Sequence, residues 1–133
     1  MKAVKSRVTK GLMVGSLVPT CDNSGAKLVK IVSVKTAKTV KRRVPSCGVA
    51  SLVMVSIKKG TKEVRKKVMP AVIVRQRKEY RRPSGMRIKF EDNAVVVLKD
   101  EKGNPKGTLF KGPIAKEAAE RWPAIAKLSK IIV

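Results

Sequence analysis

Short runs of apolar residues, each ended by turn-forming residues, recur along the first three-quarters of the chain. Six runs have the length and composition of β-strands. They are Leu12–Val18, Leu28–Val34, Leu52–Lys58, Met69–Arg77, Met86–Phe90 and Ala94–Leu98. Turn sequences such as Asn23-Ser24-Gly25 and Pro83-Ser84-Gly85 separate them, which is typical of barrels and sandwiches. The pattern therefore predicts a mainly β fold, a small closed barrel over about residues 10–100.

The second run indicates which face of the predicted barrel meets solvent. Its apolar positions are Leu28, Val29, Ile31, Val32 and Val34. Lys30, Ser33 and Lys35 are interleaved with them. Since successive side chains of a strand point to opposite faces, one face turns inward and the other carries positive charge. The predicted fold itself displays a basic surface.

Helical spacing replaces strand spacing after Pro113. Ile114, Ala118, Arg121 and Trp122 fall near the period of a helix, and proline is favoured at a first helical position. The remaining features of the C-terminus are an interruption at Pro123, a possible second helical turn over Ala124–Leu128, and an apolar end at Ile131–Val133. We expect a short helical C-terminal segment over about residues 112–130, within one domain that spans residues 1–133.

Positive charge changes the picture more than any other property of the composition. The chain has 133 residues with 32 Lys and Arg against 9 Asp and Glu, a net charge of +23 and a pI near 10.7. Small soluble domains usually carry net charges of about 2 to 8 in magnitude. A solvated surface alone therefore explains this charge less well than a polyanionic partner that neutralises it.

Two segments carry most of this charge. Residues 27–43 contain seven bases and no acid, and residues 58–89 contain thirteen bases and two acids, a net charge of +11. Residues 44–57 carry no charged side chain, and after residue 90 eight bases are nearly balanced by six acids. The two basic segments are the predicted contacts with a polyanion, and the nearly neutral C-terminal part is the candidate for contacts with proteins.

The strongest local signals for RNA lie in the second basic segment. The run from Lys58 to Lys67 has the form of a cationic loop that reaches phosphates, and the alternative is an exposed disordered loop. Repulsion among its cations predicts that it is mobile in the free protein. The run from Arg75 to Arg82 places arginine forks beside Tyr80, a combination suited to phosphates and unpaired bases. A partly buried aromatic at a strand end is the other interpretation of Tyr80.

Catalytic and metal-binding chemistry has little support. The chain lacks histidine, and Cys21 and Cys47 alone cannot complete a zinc site. Asp22, Glu91 and Asp92 adjoin turn residues, which favours a structural role for these acids. We expect no enzyme activity, cofactor, metal or membrane contact in a soluble cytosolic protein.

Two alternatives to a ribosomal RNA-binding protein stay open. Duplex DNA competes with RNA as the partner on charge alone, although no recognition-helix pattern favours it. A free nucleic-acid-binding protein of OB type would need more aromatic residues.

Four motifs resemble the family of universal large-subunit ribosomal protein fourteen. They are Cys21-Asp22-Asn23-Ser24-Gly25-Ala26-Lys27, Val72-Ile73-Val74-Arg75-Gln76-Arg77-Lys78, Phe90-Glu91-Asp92-Asn93-Ala94, and Lys106-Gly107-Thr108 with Gly112-Pro113-Ile114-Ala115-Lys116-Glu117. Their order and spacing also match, and the likeness runs from about Gly11 to Val133. Arg81-Arg82-Pro83 and Arg121-Trp122-Pro123 look like the archaeal and eukaryotic branch.

This resemblance implies a five-stranded β-barrel in the large subunit of the cytoplasmic ribosome, bound to large-subunit rRNA and to small-subunit rRNA at intersubunit bridges. It also implies contacts with large-subunit proteins three and twenty-four and with a factor that prevents premature subunit joining. The protein-contact candidates are Ile114, Glu117, Arg121 and Trp122. The rRNA-binding candidates are Lys27, Lys30, Arg42, Arg43, Lys58, Lys59, Arg65, Lys66, Lys67, Arg75, Arg77, Lys78, Tyr80, Arg81, Arg82 and Arg87.

Three positions depart from the family pattern. Ala50-Ser51 stands where the family usually has Gly-Asp, Ser84 stands where Asp is common, and residues 1–10 match nothing firmly. Because alanine disfavours a positive φ, we expect the turn before the third strand to use a different geometry in this chain.

Overall fold

A computed structural model describes all residues from 1 to 133, and the chain is mainly β with two short helices at its C-terminal end. The strands are β1 (Leu12–Met13), β2 (Leu17–Pro19), β3 (Ala26–Val34), β4 (Ser46–Cys47), β5 (Leu52–Gly60), β6 (Val68–Arg75), β7 (Tyr80–Arg81), β8 (Arg87–Ile88) and β9 (Ala94–Val97). The helices are α1 (Lys116–Arg121) and α2 (Pro123–Leu128). The expected class, mainly β with a helical C-terminal segment, is confirmed.

One antiparallel sheet of five strands forms the centre of the molecule, in the order β2-β3-β5-β6-β9. Its two outer strands approach each other at one isolated bridge, Thr20 with Val95, beside which the Cys21 N–H donates to the Val95 carbonyl at 3.1 Å. The remaining strands pair outside this sheet, β1 with β4 and β7 with β8. Five main strands agree with the expectation, but their closure into a barrel is not confirmed.

Strands β6 and β9 separate two hydrophobic cores. Ile73 and Val95 belong to the core enclosed by the curved sheet, whereas their neighbours Val74 and Val96 belong to the core under the helices. Alternate side chains of a strand face opposite ways, so both faces of these two strands are buried. Full burial of one such side chain contributes about 1.5–3 kcal/mol. The two cores hold the sheet and the C-terminal segment as one packed unit.

Local backbone geometry explains where the strands and helices differ from the predicted ones. The first predicted strand is split into β1 and β2 because Gly15 turns the chain with a φ of 93°. Helix α1 begins at Lys116 rather than Pro113, since Ile114 pairs with the chain end: its N–H donates to the Ile131 carbonyl at 3.0 Å. The helical segment is interrupted next to Pro123, as expected: α1 ends at Arg121, and Pro123 opens α2 at its first turn.

The turn before β5 overturns an expectation. Ala50 has a φ of 69°, the left-handed conformation that we expected alanine to avoid. That conformation costs roughly 1–2 kcal/mol for a residue with a Cβ. The Ala50 N–H donates to the Ile73 carbonyl at 2.8 Å, and the Trp122 Nε1–H donates to the Ala50 carbonyl at 3.0 Å. These two bonds and the complete burial of Ala50 hold the turn in place against that cost.

Candidate nucleic-acid interface

The two basic segments of the sequence meet at one end of the central sheet. Strands β3 and β5 pair with Ala26 opposite Gly60, so Lys27 lies beside Lys58 and Lys59. The loop that follows β5 folds back over this end, because the Thr61 N–H donates to the Gly25 carbonyl at 3.0 Å. One shallow surface depression is lined by Lys27, Lys58, Lys59, Gly60, Thr61 and Arg65. Sequence separation had hidden this convergence.

A compact turn presents the next cations beside this depression. Val64 is buried beneath the turn, and the Lys66 N–H donates to the Ile57 carbonyl at 3.0 Å. Lys66 has a φ of 66°, a left-handed conformation that places Arg65 and Lys66 along a second depression with Lys58. These contacts tie the base of the loop to the sheet, and its mobility in the free protein stays a prediction.

We call this surface the basic end, defined as Lys27, Lys58, Lys59, Arg65 and Lys66. All five residues are exposed, and none belongs to any of the five ion pairs of the molecule. Glu63 in the same loop is exposed and forms no ion pair either. The positive charge of the basic end is therefore not neutralised within the chain.

Four other candidates from the first basic segment and the loop are exposed outside the basic end. Lys30 is exposed on β3 opposite Ser56, and Lys67 is exposed where the turn enters β6. Arg42 and Arg43 lie in the exposed loop between β3 and β4, where Arg42 has a φ of 60°. All four side chains can reach a partner in solution.

Arg75 belongs to the protein interior, which corrects its assignment to the RNA surface. Only 8% of the residue is exposed. Its Nε–H and Nη2–H donate to the two carboxylate oxygens of Asp92 at 2.8 and 3.1 Å. Its Nη1–H groups donate to the carbonyls of Lys111 and Pro113, both at 2.9 Å. The guanidinium donors are thus bonded within the protein. They join β6 to Lys111 and Pro113, the segment that precedes α1.

Tyr80 and Arg82 are corrected in the same way. Tyr80 is completely buried, and its hydroxyl donates to Glu117 Oε2 at 2.7 Å. Arg82 Nε–H donates to Glu117 Oε1 at 2.8 Å, and its Nη2–H donates to the Val133 carbonyl at 2.6 Å. Burial and the neighbouring carboxylate raise the pKa of the Tyr80 phenol. A buried ring cannot stack on bases, so the interpretation of Tyr80 as a buried strand-end aromatic is the right one.

The exposed remainder of this segment forms a separate basic surface around the β7–β8 hairpin. Arg81 and Arg87 are opposite each other across the two strands, and Arg77 and Lys78 precede them in the exposed connection. Arg87 Nη1 lies 3.8 Å from Glu79 Oε1, a loose surface pair. The sequence could not distinguish these four outward cations from Arg75 and Arg82, because all six stand within the same basic segment of residues 58–89.

Three of the four predicted protein-contact residues are interior. Ile114 and Trp122 are 0% and 1% exposed in the core under the helices, and Glu117 is held by Tyr80 and Arg82. Arg121 is half-buried. Helical spacing identified the face that packs inward, not the face that a partner could touch. The exposed apolar residues of this region are Ile131, Ile132 and Val133 at the chain end.

The candidate catalytic groups are structural. Burial raises the pKa of the Cys21 thiol to about 12 and that of Cys47 to about 11, so both stay protonated at neutral pH. Asp22 closes a turn, as expected: it accepts from the Ser24 hydroxyl at 2.7 Å and from the Val97 N–H at 2.8 Å. No group of three or more Cys, Asp and Glu side chains is placed to hold a metal ion. Neither helix has the length or apolar composition that crossing a bilayer requires.

An antiparallel sheet with an exposed cationic end that no acid pairs is typical of basic β proteins that bind polyanions. The chain matches the family model described as Ribosomal protein L14p/L23e over residues 11–133, and it belongs to that family. This is a family of structural ribosomal proteins and not of enzymes. The resemblance inferred from the four motifs is confirmed.

Similar proteins extend over the whole chain. It is 51% identical over 132 residues to the large ribosomal subunit protein uL14 of Methanococcus vannielii, covering 99% of both chains. It is 51% identical over 133 residues to the uL14 protein of Nanoarchaeum equitans, covering 100% of both. The uL14 protein of Picrophilus torridus is 50% identical over 133 residues, again with complete coverage. The likeness thus includes residues 1–10, which the motifs had left unmatched.

Proposed function

We propose that the chain is a structural constituent of the large subunit of the cytoplasmic ribosome and binds large-subunit rRNA through the basic end. The observation that carries this proposal is the convergence of five exposed cations from two segments, none of them paired with an acid. Exposed Lys and Arg side chains without protein partners attract phosphates and release their counterions. Family membership supports the same conclusion.

Binding at the basic end needs little rearrangement. Strands β3 and β5 hold Lys27, Lys58 and Lys59 on paired backbone, and the turn around the buried Val64 holds Arg65 and Lys66. Cations that are already positioned lose less conformational entropy when phosphates bind. If each neutralises one phosphate, the logarithm of the binding constant falls by about 0.7–0.9 per contact for each tenfold rise in salt.

The other exposed cations extend the proposed RNA contacts. Lys30, Lys67, Arg42 and Arg43 would continue the basic end along the sheet and the loop after β3. The hairpin surface of Arg77, Lys78, Arg81 and Arg87 would form a second contact, our candidate for the bridge to small-subunit rRNA.

The single approach of Thr20 to Val95 supports a barrel that closes at one end of β2 and β9. We propose that residues 1–133 act as one domain.

Protein partners would meet the C-terminal part of the molecule. Ile131, Ile132 and Val133 are exposed, yet their backbone is held against Ile114 and Lys116 by hydrogen bonds of 2.9–3.0 Å. A fixed apolar strip suits contacts with large-subunit proteins of the three and twenty-four types, or with a factor that prevents subunit joining. It replaces the interior residues Ile114, Glu117 and Trp122 as our candidate contact.

A free binder of single-stranded nucleic acid, of OB type, is the alternative. Such proteins stack bases on several exposed aromatic rings. Here Tyr80, Phe110 and Trp122 are buried and Phe90 is half-buried, so no sheet face offers a stacking platform. A ribosomal protein that contacts phosphates through exposed cations does not need such rings, and it agrees better with the buried aromatic residues of this chain.

Sedimentation through a sucrose gradient tests the proposed function. The protein is followed in cell lysate before and after a high-salt wash, and then after ribonuclease treatment. We expect it to stay in the large-subunit peak through the wash and to leave it when the RNA is digested. Recovery at the top of the gradient before any treatment would instead identify a free nucleic-acid binder.

A further inference from the structure

The first ten residues form a strap over the core under the helices, without regular secondary structure and with a bend at Lys5 and Ser6. Val4 and Val8 pack against that core, and Ser6 between them is half-buried. Lys5 and Arg7 alternate with these residues and are exposed. Inward and outward residues thus alternate along this segment. The strap packs its Val and Ser side chains partly against the core and displays its cations.

Hydrogen bonds and one close backbone approach fix the strap at both ends. The Lys2 N–H donates to the Arg121 carbonyl at 3.1 Å, and the Gln76 Nε2–H donates to the Thr9 carbonyl at 2.9 Å. Gly48 makes room for it, because a Cβ at that position would lie 2.8 Å from the Thr9 carbonyl oxygen and 3.1 Å from Val8 Cγ1. The strap is part of the packed fold and not a loose tail.

The charge of the strap is uncompensated. Lys2, Lys5, Arg7 and Lys10 are exposed, and the first acid of the chain is Asp22. None of these four cations belongs to an ion pair. This combination of exposed cations, absent acids and fixed backbone is the same one that distinguishes the basic end.

The strap also lies beside the hairpin cations rather than beside the basic end. A Cβ on Gly11 would come 2.5 Å from Lys78 Cβ, so the strap leaves the core next to Lys78. Nearer the N-terminus, Lys5 and Ser6 line a shallow cleft together with Arg82, Lys116, Glu117 and Glu120. Arg82 is paired with Glu117 and Lys116 with Glu120, so Lys5 is the cation of this cleft that has no ion-pair partner.

We propose that the strap is a separate phosphate-binding surface for rRNA, in which Lys5, Arg7 and Lys10 contact the RNA backbone. The proposal rests on the proposed function but adds a surface that the two basic segments do not include. Lys5 and Arg7 stand two residues apart, and both are exposed beside the half-buried Ser6. Since packing already fixes the strap, binding there orders only side chains.

The test compares salt dependence of binding to a transcript of large-subunit rRNA. The variant Lys5→Gln/Arg7→Gln/Lys10→Gln removes three exposed charges from the strap, and Lys99→Gln/Lys102→Gln/Lys127→Gln removes three exposed charges elsewhere. We expect the strap variant to reduce the slope of log K against log salt by about 2–3, with an unchanged melting temperature. The control variant should keep nearly the wild-type slope.

Two results would overturn the strap proposal while leaving the proposed function intact. In one, the strap variant keeps the wild-type slope although substitutions at the basic end reduce it. In the other, the control variant loses as much slope as the strap variant, which would mean that only net charge matters. Absence of salt-dependent binding by the wild-type protein would contradict the proposed function itself. A Val8→Ala variant, expected to lower the melting temperature without changing the slope, separates packing from phosphate contact.

Discussion

The cationic runs at residues 58–67 and 75–82 look alike in sequence, but the first exposes all its cations and the second turns half of its arginines inward. In the first, every Lys and Arg is exposed and unpaired. In the second, two of the four arginines turn inward, Arg75 to Asp92 and Arg82 to Glu117, 17 and 35 residues away along the chain. The density of charge along a sequence therefore does not tell how much charge a surface displays.

Burial decides the role of each group of arginines. Arg75, Arg82 and Glu117 are largely buried, and each arginine donates to a carboxylate at 2.8 Å, Arg75 to the part-exposed Asp92 and Arg82 to the buried Glu117. Removing one partner leaves the other without its counter-charge in a poorly solvated place. Cations at the basic end carry no such penalty, so their loss should weaken RNA binding and leave folding nearly unchanged. Four variants test this contrast, each with its control.

The largest effect should follow from Glu117→Ala. This change leaves the Tyr80 hydroxyl and the Arg82 guanidinium without their shared acceptor. We expect the free energy of unfolding, measured by urea denaturation, to fall by about 3–5 kcal/mol. Glu120→Ala on the same helix removes an exposed carboxylate and should cost less than about 0.5 kcal/mol. Equal losses for the two variants would show that the buried pair contributes nothing special.

The second effect concerns binding and not folding. Lys58→Ala/Arg65→Ala/Lys66→Ala removes three cations from the basic end. We expect rRNA affinity at low salt to fall on the order of a hundredfold, or about 2.7 kcal/mol, with a slope against log salt smaller by about 2–3. The melting temperature should change little. Filter binding over a series of potassium chloride concentrations measures both quantities, and the variant at Lys99, Lys102 and Lys127 serves as the charge-matched control.

A basic end without a role in RNA binding would give a different pattern. The triple variant would then keep its affinity, or lose no more than the charge-matched control. Such a result would place rRNA recognition on the hairpin surface or the strap, and the convergence of β3 and β5 cations would have only a solubilising role.

The third effect separates two neighbouring arginines. Arg75→Lys keeps the charge but loses the fork, so Asp92 and the carbonyls of Lys111 and Pro113 cannot all keep their donors. We expect a loss of about 2 kcal/mol in unfolding free energy. Arg77→Lys, exposed two residues away, should change stability by less than about 0.5 kcal/mol. A harmless Arg75→Lys would mean that charge alone, without the planar geometry, satisfies the site.

Strand positions could be predicted from the sequence because short apolar runs bounded by turn residues report burial, whether one face is buried, as in β3, or both, as in β9. The runs at Leu28–Val34 and Ala94–Leu98 agree with β3 and β9 to within two residues. Strands of two residues, such as β4, bury too little to leave a pattern. The start of α1 was displaced because Ile114 pairs with the chain end, a contact between distant segments that no local spacing reveals.

The candidate site was predictable only in part, for a related reason. Lysines on strands and in loops, such as Lys27 and Lys58, remain exposed because a lone ammonium is costly to bury. Arginine can be buried when acceptors surround its fork, and the acceptors of Arg75 and Arg82 come from distant segments. An acid at the right distance in space, which sequence spacing does not give, decides which arginines turn inward.

The smallest effect comes from a residue of the basic end whose backbone is strained. Lys66 has a φ of 66°, a left-handed conformation that glycine adopts without strain and lysine adopts at a cost in free energy. Lys66→Gly should raise the unfolding free energy by about 0.5–1 kcal/mol and lower the salt slope of rRNA binding by about 0.7–0.9. Lys67→Gly removes the same charge at a position without a positive φ, so it should lower stability instead. If both glycine variants destabilise the protein equally, the left-handed turn carries no strain. If Lys66→Gly gains stability and keeps the wild-type slope, Lys66 makes no phosphate contact, and the contrast between the two cationic runs must rest on its neighbours.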